Sequence, residues 1–315
     1  MKITVLDAKT LGADLSLAPL MALGEVEVHA QTEPAEVAAR LADTDIAILN
    51  KIKVTREVLA GNCRLRLICV SATGYDNIDL AACREAGVGV CNVVGYSTDS
   101  VAEVTLAMAL SLITHLPAYA RSVADGTYTS EGVANRLTPV YREMRGLTWG
   151  IVGYGNIGRR VADVARALGC RVIAYSRTPK DGVACVGLHE LCGTADIISV
   201  HLPLSDATRA LIGAKEIALM RKETVFINVA RGAVVDEAAL AAAVREGRIG
   251  GIGVDVFSTE PLPVTHPLYT VRGMENVCLT PHMAWAAKEA RERCLAEMAE
   301  NIKDFLAGGT RGRVD

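Results

Sequence analysis

Short apolar runs rich in Val and Ile recur along the first hundred residues, each bounded by polar or turn-forming positions. Segments with helical spacing, such as 34–41 and 79–85, separate these runs. This alternation predicts a mostly parallel sheet covered by helices on both faces. The predicted strands span residues 3–7, 25–30, 46–50, 67–70 and 89–93. The first part of the chain is therefore expected to form a doubly wound α/β domain.

A second series of apolar runs begins after a helical stretch predicted from residue 98 to about 124. Its predicted strands span residues 149–152, 171–175, 196–201, 224–229, 251–256 and 276–279. Six strands with intervening helices match the doubly wound architecture that binds dinucleotides. The fold class expected for the whole chain is thus α/β, with a flavodoxin-like substrate domain and a Rossmann NAD(P)-binding domain.

The helical pattern at 288–306 is too short to form a third domain, and we expect it to pack back on the first. The dinucleotide-binding domain, residues 99–285, then lies inserted in a discontinuous substrate domain of residues 1–98 and 286–315. The chain crosses between the domains near 95–100 and 283–287. Only a polar tail, 308–315, follows the last helix.

Composition restricts the possible partners. Half of the 315 residues are apolar, and 33 Lys and Arg against 36 Asp and Glu give a formal charge of −3. This balance offers no basic surface for nucleic acid. The first residues lack the pattern of a signal peptide, and no run reaches eighteen apolar residues. We therefore expect a cytoplasmic protein that binds neither nucleic acid nor membrane.

The cysteines indicate free thiols. Nine of them lie at positions 63, 69, 83, 91, 170, 185, 192, 278 and 294, without paired Cys-x-x-Cys motifs. This distribution predicts no metal site and suits a reducing compartment.

The strongest local motif is Gly-Tyr-Gly-Asn-Ile-Gly at 153–158. It follows a predicted strand and opens a helix whose apolar positions recur at helical spacing. The glycines permit a tight turn, and the amides at the helix N-terminus suit a pyrophosphate. The expected cofactor contacts are Gly153, Gly155, Asn156, Ile157 and Gly158. The alternative is a glycine-rich turn with a structural role only.

The end of the next strand indicates which cofactor is preferred. NAD enzymes of this architecture place an acidic residue there to bind the ribose hydroxyls. This chain has Ser176, Arg177 and Thr178 instead. Arg177 can bind a 2′-phosphate through charge-assisted hydrogen bonds, which favours NADP. Alternatively, Arg177 is a solvated loop residue and NAD binds through other contacts.

Arg231, Glu260 and His282 each follow a predicted strand of the second series. These positions fall at the edge where doubly wound sheets bind ligands. Each has an ordinary structural explanation, such as a surface ion pair or a loop charge. Their joint placement beside a cofactor motif favours a catalytic set.

Five motifs in order along nearly the whole chain resemble the D-isomer-specific 2-hydroxyacid dehydrogenases. They lie at 71–79, 153–158, 228–236, 253–257 with Glu260-Pro261, and 280–282. The resemblance implies that Arg231, Glu260 and His282 are catalytic, that the active site lies in the cleft between the domains, and that the protein is a homodimer built largely through its nucleotide domains. Further cofactor contacts are expected at His201, Pro203, Ala230, Arg231, Asp255 and His282. For Asp255, the alternative role is a cap at a strand end.

The implied reaction suits these residue types. Reduction of a 2-oxo acid requires a hydride at the carbonyl carbon and a proton at its oxygen. His282 can donate that proton, or remove it in reverse. Glu260 would orient the ring and stabilise its charged form, while Arg231 would hold the substrate carboxylate.

Substrate choice depends on less specific features. The expected substrate contacts are Asn50, Lys51, Ala72, Thr73, Gly74, Arg231, His282 and Trp285. Backbone amides of the 72–74 loop can hold a carboxylate, although a simple tight turn is the alternative. Asn50, Lys51 and Trp285 resemble the glycerate dehydrogenase or hydroxypyruvate reductase branch. A bulky Trp285 would favour short acids such as hydroxypyruvate or glyoxylate, or it serves only in packing.

Other functions stay open. A dehydrogenase of the same family for another 2-oxo acid is one, and a dinucleotide-sensing corepressor that binds without turnover is another. Two branches are disfavoured. A phosphoglycerate dehydrogenase is less favoured, because the sequence shows neither a C-terminal regulatory domain nor an extra basic cluster for a phosphate. A formate dehydrogenase is disfavoured, because those enzymes have Gln where Glu260 stands.

Overall fold

In a computed structural model of the protein, residues 1–60 and 64–315 are described. The chain divides into two compact units. The first consists of Met1–Ser97 and Ala286–Asp315, and the second consists of Thr98–Trp285. Each unit contains one parallel sheet flanked by helices, so the expected α/β fold class is confirmed.

The strands are numbered along the chain. Those of the first unit are β1 (Lys2–Val5), β2 (Glu25–Val28), β3 (Ile46–Leu49), β4 (Leu67–Val70) and β5 (Gly89–Cys91). Those of the second unit are β6 (Thr148–Val152), β7 (Arg171–Tyr175), β8 (Ala184–Cys185), β9 (Ile197–Val200), β10 (Val225–Asn228), β11 (Gly251–Val254) and β12 (Val277–Leu279).

The helices are numbered in the same way. They are α1 (Ala18–Met21), α2 (Val37–Leu41), α3 (Arg56–Leu59), α4 (Leu80–Glu85), α5 (Thr98–Thr114), α6 (Leu116–Ala124), α7 (Thr127–Glu131), α8 (Asn156–Ala167), α9 (Leu188–Thr194), α10 (Ala214–Leu219), α11 (Glu237–Arg245) and α12 (Lys288–Leu306). Short 3-10 helices occur at Ala8–Thr10, Pro34–Glu36, Gly232–Val234 and Pro267–Val271.

The first sheet has the order β2-β1-β3-β4-β5, and its neighbouring strands are parallel. This is the flavodoxin-like order. The apolar runs β3 and β4 are buried at every position, as expected for central strands covered on both faces. The last helix, α12, packs on α1 and β4 of this unit.

The C-terminal residues extend the same unit beside β5. The amide of Val314 donates to the carbonyl oxygen of Val90 at 3.0 Å. In return, the amide of Val90 donates to Oδ1 of Asp315 at 2.8 Å. The polar tail therefore pairs with a strand edge whose amides would otherwise face solvent.

The second sheet has the order β12-β11-β10-β9-β6-β7-β8, with neighbouring strands parallel. The order reverses between β6 and β9, which is the point where doubly wound sheets bind ligands. Successive strand residues face opposite sides. Ile197 belongs to the apolar cluster on one face, and Ile198 belongs to the cluster on the other. Helices thus cover both faces of the sheet.

Two expectations for this unit were wrong. The sheet has a seventh strand, β8, whose two residues are both exposed and pair with the edge of β7, so no apolar run marked it. The helix expected from 98 to about 124 is broken. It stops at Thr114, His115 takes a left-handed φ of 51°, and α6 starts at Leu116. Pro117 explains the break, because proline has no amide for the carbonyl one turn back and is tolerated only in a first turn.

One observation bears on membranes. None of the helices at the described positions has by itself the length and hydropathy to cross a bilayer. Helices α5 and α6 meet that test only when joined, and they are bent by 65°.

The eight cysteines at described positions are free thiols, and Cys63 lies outside the described residues. Cys69 and Cys91 are register partners on β4 and β5, with their sulfur atoms 3.2 Å apart. The hydrogen bond with Cys91, together with burial, raises the pKa of Cys69, so this thiol stays protonated.

A buried carboxylate organises the carboxyl edge of the first sheet. Asp7, just past β1, is 6 % exposed. It accepts hydrogen bonds from the amides of Asn50 at 3.0 Å and Lys51 at 2.7 Å. Burial raises the pKa of Asp7 despite these bonds. The candidate substrate residues after β3 are therefore held by an acid that is easier to protonate than usual.

We predict that Asp7→Asn changes the pH dependence of stability in a defined direction. A carboxyl with a raised pKa binds more protons in the folded state, so its contribution to stability falls as the pH rises from the unfolded pKa through the folded one. The unfolding free energy of the wild type, relative to Asp7→Asn, should therefore fall with pH above about 3.9. Urea titrations followed by circular dichroism measure this difference. Exposed Asp206→Asn is the control, and parallel profiles for wild type and Asp7→Asn would contradict the prediction.

Candidate active site

A tight turn joins β6 to α8 at residues 153–158. Gly153 has a φ of 101°, a region that favours glycine. A Cβ at Gly153 would lie 2.9 Å from the carbonyl oxygen of His201. A Cβ at Gly158 would lie 2.2 Å from the carbonyl oxygen of Gly153. Both glycines are therefore required by the packing of the turn itself.

Gly155 is a glycine for a different reason. Its φ of −87° is open to other residues, and a Cβ there would meet no atom within 4 Å. It is the N-cap of α8, and the amides of the following Asn156, Ile157 and Gly158 have no acceptor within the helix. The missing side chain keeps space open in front of these amides, which is the geometry that suits an anion.

The segment after β7 begins beside this turn. The carbonyl oxygen of Tyr175 accepts a hydrogen bond from the amide of Gly153 at 3.0 Å. The next residues are Ser176, Arg177 and Thr178, of which the last two are exposed. In the part of the chain that the structure describes, Arg177 pairs with no carboxylate. A cation thus lies near the glycine turn, where a ribose is expected.

His201 follows β9, next to the point where the strand order reverses. Its Nε2 lies 2.9 Å from Oγ of Ser199. Burial lowers the pKa of His201 to about 3, so the ring is neutral. Its Nδ1 is buried and has no hydrogen-bond partner among the described residues. Buried polar atoms in folded proteins are nearly always hydrogen-bonded, and a molecule bound at this edge would supply the missing partner of Nδ1. Pro203, two residues further along, is exposed.

Arg231 follows β10, and its position is held by Asn228, the last residue of the strand. The side-chain amide of Asn228 donates to the carbonyl oxygen of Arg231 at 2.9 Å, and its Oδ1 accepts from the amide of Ala230 at 3.0 Å. The guanidinium Nη1 of Arg231 donates to the carbonyl oxygen of Ala230 at 2.8 Å. Both the backbone and the side chain of Arg231 are therefore oriented by this turn.

Gly232 allows two strand-end segments to touch. A Cβ at Gly232 would lie 2.1 Å from the carbonyl carbon of Phe257 and 2.1 Å from the amide nitrogen of Ser258. No other residue type fits such an approach. The chain after β10 is therefore packed directly against the chain that leads to Glu260.

The central contact of the site joins Glu260 and His282. Oε2 of Glu260 lies 2.7 Å from Nδ1 of His282, and the two side chains are 27 % and 22 % exposed. The other oxygen, Oε1, accepts a hydrogen bond from the amide of Phe257 at 3.0 Å, which sets the direction of the carboxylate. An acceptor at Nδ1 fixes the orientation of the ring and places a proton on that nitrogen.

Asp255 shapes the loop that carries His282. Its carboxylate accepts hydrogen bonds from Oγ1 of Thr280 at 2.5 Å and from the amides of Met283 and Ala284, each at 2.9 Å. Its carbonyl oxygen accepts from the amide of His282 at 2.8 Å. His282 has a left-handed φ of 55°, which a non-glycine residue adopts only when its surroundings impose it. The geometry of Asp255 is thus that of a cap for the end of β12.

Trp285 lies on the same loop and packs against the apolar cluster that contains the β6 residues Trp149 and Ile151. This contact gives Trp285 a packing role within the second unit. All the predicted residues of this unit lie at the carboxyl ends of parallel strands. Glu260 and His282 are in direct contact, while Arg231 follows β10, the strand next to β11 in the same sheet.

The predicted substrate residues of the first unit follow β3 and β4. Asn50 is buried, and its Nδ2 donates to the carbonyl oxygen of Ser71 at 3.3 Å. Thr73 is held by its Oγ1, which donates to the carbonyl oxygen of Val93 at 2.8 Å. The side-chain amide of Asn92 donates to the carbonyl oxygen of Thr73 at 2.7 Å. These bonds fix Asn50 and the loop of Ala72, Thr73 and Gly74. The side chain of Lys51 is exposed.

Comparison with known proteins agrees with this geometry. A family model described as D-isomer specific 2-hydroxyacid dehydrogenase, NAD binding domain, matches residues 106–284. The chain belongs to this family. The resemblance drawn from the motifs is therefore confirmed.

Individual relatives of this dehydrogenase chain carry related names. Glycerate dehydrogenase of Methylorubrum extorquens is 36% identical over 92% of this chain and 91% of its own. Hydroxypyruvate reductase of Blautia hydrogenotrophica is 34% identical over 98% of each chain. Among solved structures, an acyclic imino acid reductase in complex with NADPH and D-Arg has a TM-score of 0.88 at 30% identity, with all of both chains covered.

The second unit of this dehydrogenase fits a nicotinamide dinucleotide. The open space at Gly155 and the amides of α8 suit the pyrophosphate. Arg177 lies where the adenosine ribose is expected, and the unpartnered Nδ1 of His201 lies next to the switch point. The residues at this edge thus suit the cofactor that the family's NAD-binding domain implies.

Sequence reasoning missed several polar residues that hold the segments after the strands of each unit. They are Asp7, Asn92, Asn228, Glu237 and His266. Asp7 and Asn228 each end an apolar strand with a polar side chain, and this signal was available. The contact between Glu237 and His266 spans 29 residues along the chain and left no local pattern.

We predict that Gly155→Val weakens binding of NADPH and NADH without unfolding the protein. The new side chain would fill the space before the α8 amides, and the loss of one hydrogen bond to a charged group corresponds to about 10- to 100-fold in affinity. Calorimetric titration and thermal unfolding measure the two effects. Gly187→Val is a matched control, since Gly187 is also a helix N-cap with no atom within 4 Å of a Cβ. Wild-type cofactor affinity in Gly155→Val would show that this turn does not hold the pyrophosphate.

Proposed function

We propose that this dehydrogenase reduces a short 2-oxo acid, hydroxypyruvate or glyoxylate, to the D-2-hydroxy acid, with NADPH as the preferred cofactor. The contact of 2.7 Å between Glu260 and His282 carries the proposal. It places an oriented acid–base pair at the same sheet edge as the glycine turn. The names of the glycerate dehydrogenase and hydroxypyruvate reductase relatives support the substrate class.

His282 is the proton donor in this proposal. Its Nδ1 is bonded to Glu260, so the proton delivered to the substrate oxygen is carried on Nε2. Glu260 offsets the positive charge of the ring before transfer and keeps the ring aligned afterwards. In the reverse direction, the same nitrogen accepts the hydroxyl proton.

Arg231 binds the substrate carboxylate and polarises the carbonyl oxygen. A guanidinium suits this task because its donors form a planar fork that matches a carboxylate. The bond from Nη1 to the carbonyl oxygen of Ala230 restricts the side chain, which lowers the entropy lost when substrate binds. Asn50, Lys51, Ala72, Thr73, Gly74 and Trp285 remain predicted substrate contacts.

The cofactor, when bound, supplies the hydride. Ser176, Arg177 and Thr178 support a preference for NADPH, because an exposed cation stands where a carboxylate would repel a 2′-phosphate. His201, Pro203, Ala230 and Asp255 are proposed to line the cofactor site together with the glycine turn. The NADPH complex of a structural neighbour supports the same choice.

We also propose that two copies of the chain associate through the second unit. Exposed large apolar side chains are concentrated in and after α5 and α6. They are Leu110, Leu116, Val123, Val133, Leu137, Val140 and Tyr141. Several large exposed apolar side chains in one stretch of the chain are the kind of surface that interfaces use. A second copy is the partner favoured by the family resemblance.

We predict that the purified protein oxidises NADPH with hydroxypyruvate or glyoxylate faster than with pyruvate or phenylpyruvate, and that chiral chromatography identifies the D-product. His282→Ala should lower kcat about 100- to 10,000-fold, the usual contribution of general acid catalysis. His189→Ala, which changes an exposed histidine of the same unit, is the control and should leave kcat unchanged. No turnover of any of these acids with either cofactor would contradict the proposed reaction.

A separate variant tests the cofactor preference in the same assay. Arg177→Ala should raise the KM for NADPH about 10- to 100-fold, the value of a hydrogen bond to a charged group, and leave the KM for NADH unchanged. A wild-type preference for NADH would overturn the cofactor assignment while the reaction class stands.

For the assembly, we predict a sedimentation mass of two chains that falls to one chain in the double variant Leu137→Asp and Val140→Asp. Both side chains are exposed, at 77 % and 80 %, so the substitutions should not disturb the fold. Met21→Asp, at an exposed position of the first unit, is the control. A monomeric wild type, or a double variant that stays dimeric, would exclude this surface as the interface.

A further inference from the structure

A buried acid–histidine pair lies in the second unit outside the proposed catalytic set. Glu237 and His266 are 8 % and 6 % exposed, and Oε2 of Glu237 lies 3.0 Å from Nε2 of His266. The amide of Leu268 donates to Nδ1 of His266 at 3.2 Å. Since Nδ1 is an acceptor, the ring carries its proton on Nε2 and donates it to Glu237.

The carboxylate of Glu237 also holds the chain that leads to Glu260. The amide of Ser258 donates to Oε1 of Glu237 at 3.1 Å and to Oε2 at 3.2 Å. The hydroxyl of Ser258 lies 3.3 Å from Nε2 of His266. Ser258 precedes Glu260 by two residues, and the amide of Phe257 donates to Oε1 of Glu260. The pair therefore holds in place the short segment that orients the Glu260 carboxylate.

Stability alone is a poor explanation for this pair. A carboxylate removed from water loses hydration that its partners only partly restore, and apolar residues of similar size often serve a core equally well. Glu237 gains some compensation as the first residue of α11, where the helix dipole favours a negative charge. What an apolar pair could not supply is a fixed acceptor for the amide of Ser258.

We propose that Glu237 and His266 form a positioning unit for Glu260. Glu237 fixes the backbone at Ser258, His266 fixes the orientation of Glu237, and Gly232 brings the segment after β10 against the same two residues, Phe257 and Ser258. Through this segment the pair determines whether Oε2 of Glu260 reaches Nδ1 of His282. The inference rests on the proposed function for its kinetic consequence, but its geometric consequence is independent of turnover.

The geometric test is nitrogen NMR of the histidine rings. This chain has six histidines. The His282 signals are assigned by their loss in His282→Asn. Glu237→Ala should change the Nδ1 and Nε2 shifts of His282 toward those found in Glu260→Gln. Glu246→Ala, at an exposed position after the same helix, is the matched control and should leave them unchanged. A wild-type His282 spectrum in Glu237→Ala would overturn the proposal.

The kinetic test is a double-mutant cycle. Glu237→Ala should lower kcat on the order of 10- to 100-fold, as expected when a reacting group is misplaced by about 1 Å, with the KM for NADPH unchanged. In the Glu260→Gln background, it should have no further effect, because the group that it positions is already gone. Glu237→Gln keeps an acceptor for the amide of Ser258 and should retain the greater part of kcat.

The outcomes separate the two proposals. Fully multiplicative effects of Glu237→Ala and Glu260→Gln would show that Glu237 acts independently, which overturns the positioning role. Wild-type kcat in Glu260→Gln would instead overturn the catalytic role of Glu260, and the NMR comparison would still decide whether Glu237 positions it. If Glu237→Ala does not fold, Glu237→Gln replaces it in the NMR comparison. A shift of the His282 signals in the direction of Glu260→Gln supports the proposal, and an unchanged spectrum overturns it.

Discussion

The carboxylate of Asp255 holds the chain that follows β12 through the hydroxyl of Thr280 and the amides of Met283 and Ala284. These bonds are made in a site that is 1 % exposed, where an unpaired donor or acceptor is costly. They hold His282 in its left-handed backbone conformation, from which its ring meets Glu260. Loss of this one cap would free the loop, and the proposed acid–base pair would lose one of its two fixed members.

The other member of the pair, Glu260, is held by a separate set of contacts. The chain leading to Glu260 is packed against Gly232 and bonded to Glu237, so it is set by the turn after β10 and by the start of α11. The two halves of the acid–base pair thus depend on different strands, β12 for His282 and β11 for Glu260, and the turn after β10 packs against the segment that carries Glu260. Only the pairing of β10 with β11 and of β11 with β12 brings them to one place. The proposed chemistry therefore depends on the parallel sheet, because the register of its strands places the two segments that make the 2.7 Å contact.

Sequence reasoning succeeded where a local pattern had a local cause. Apolar runs predicted the strands to within a few residues, and the glycine spacing predicted the turn in which Gly153 and Gly158 are sterically required. It failed where the cause was distant or weak. The two exposed residues of β8 carry no apolar signal, and the break at His115 depends on Pro117, whose effect on a long apolar pattern was overlooked. The bond between Glu237 and His266 joins residues that only the folded sheet brings together.

Polar residues at the carboxyl edge serve two purposes that residue type alone does not distinguish. Asn228 and Asp255 lie at the carboxyl ends of β10 and β11. Asn228 satisfies groups of the segment after its own strand, and Asp255 satisfies amides of the segment after β12, since a strand that stops leaves such groups without ladder partners. Arg231 and His282 occupy equivalent positions, yet their side chains extend beyond the backbone bonds that hold them. The same edge must therefore be rigid and chemically equipped at once. A protein that builds its site there needs a capping residue for nearly every reacting one, and mutation of either class would lower activity for different physical reasons.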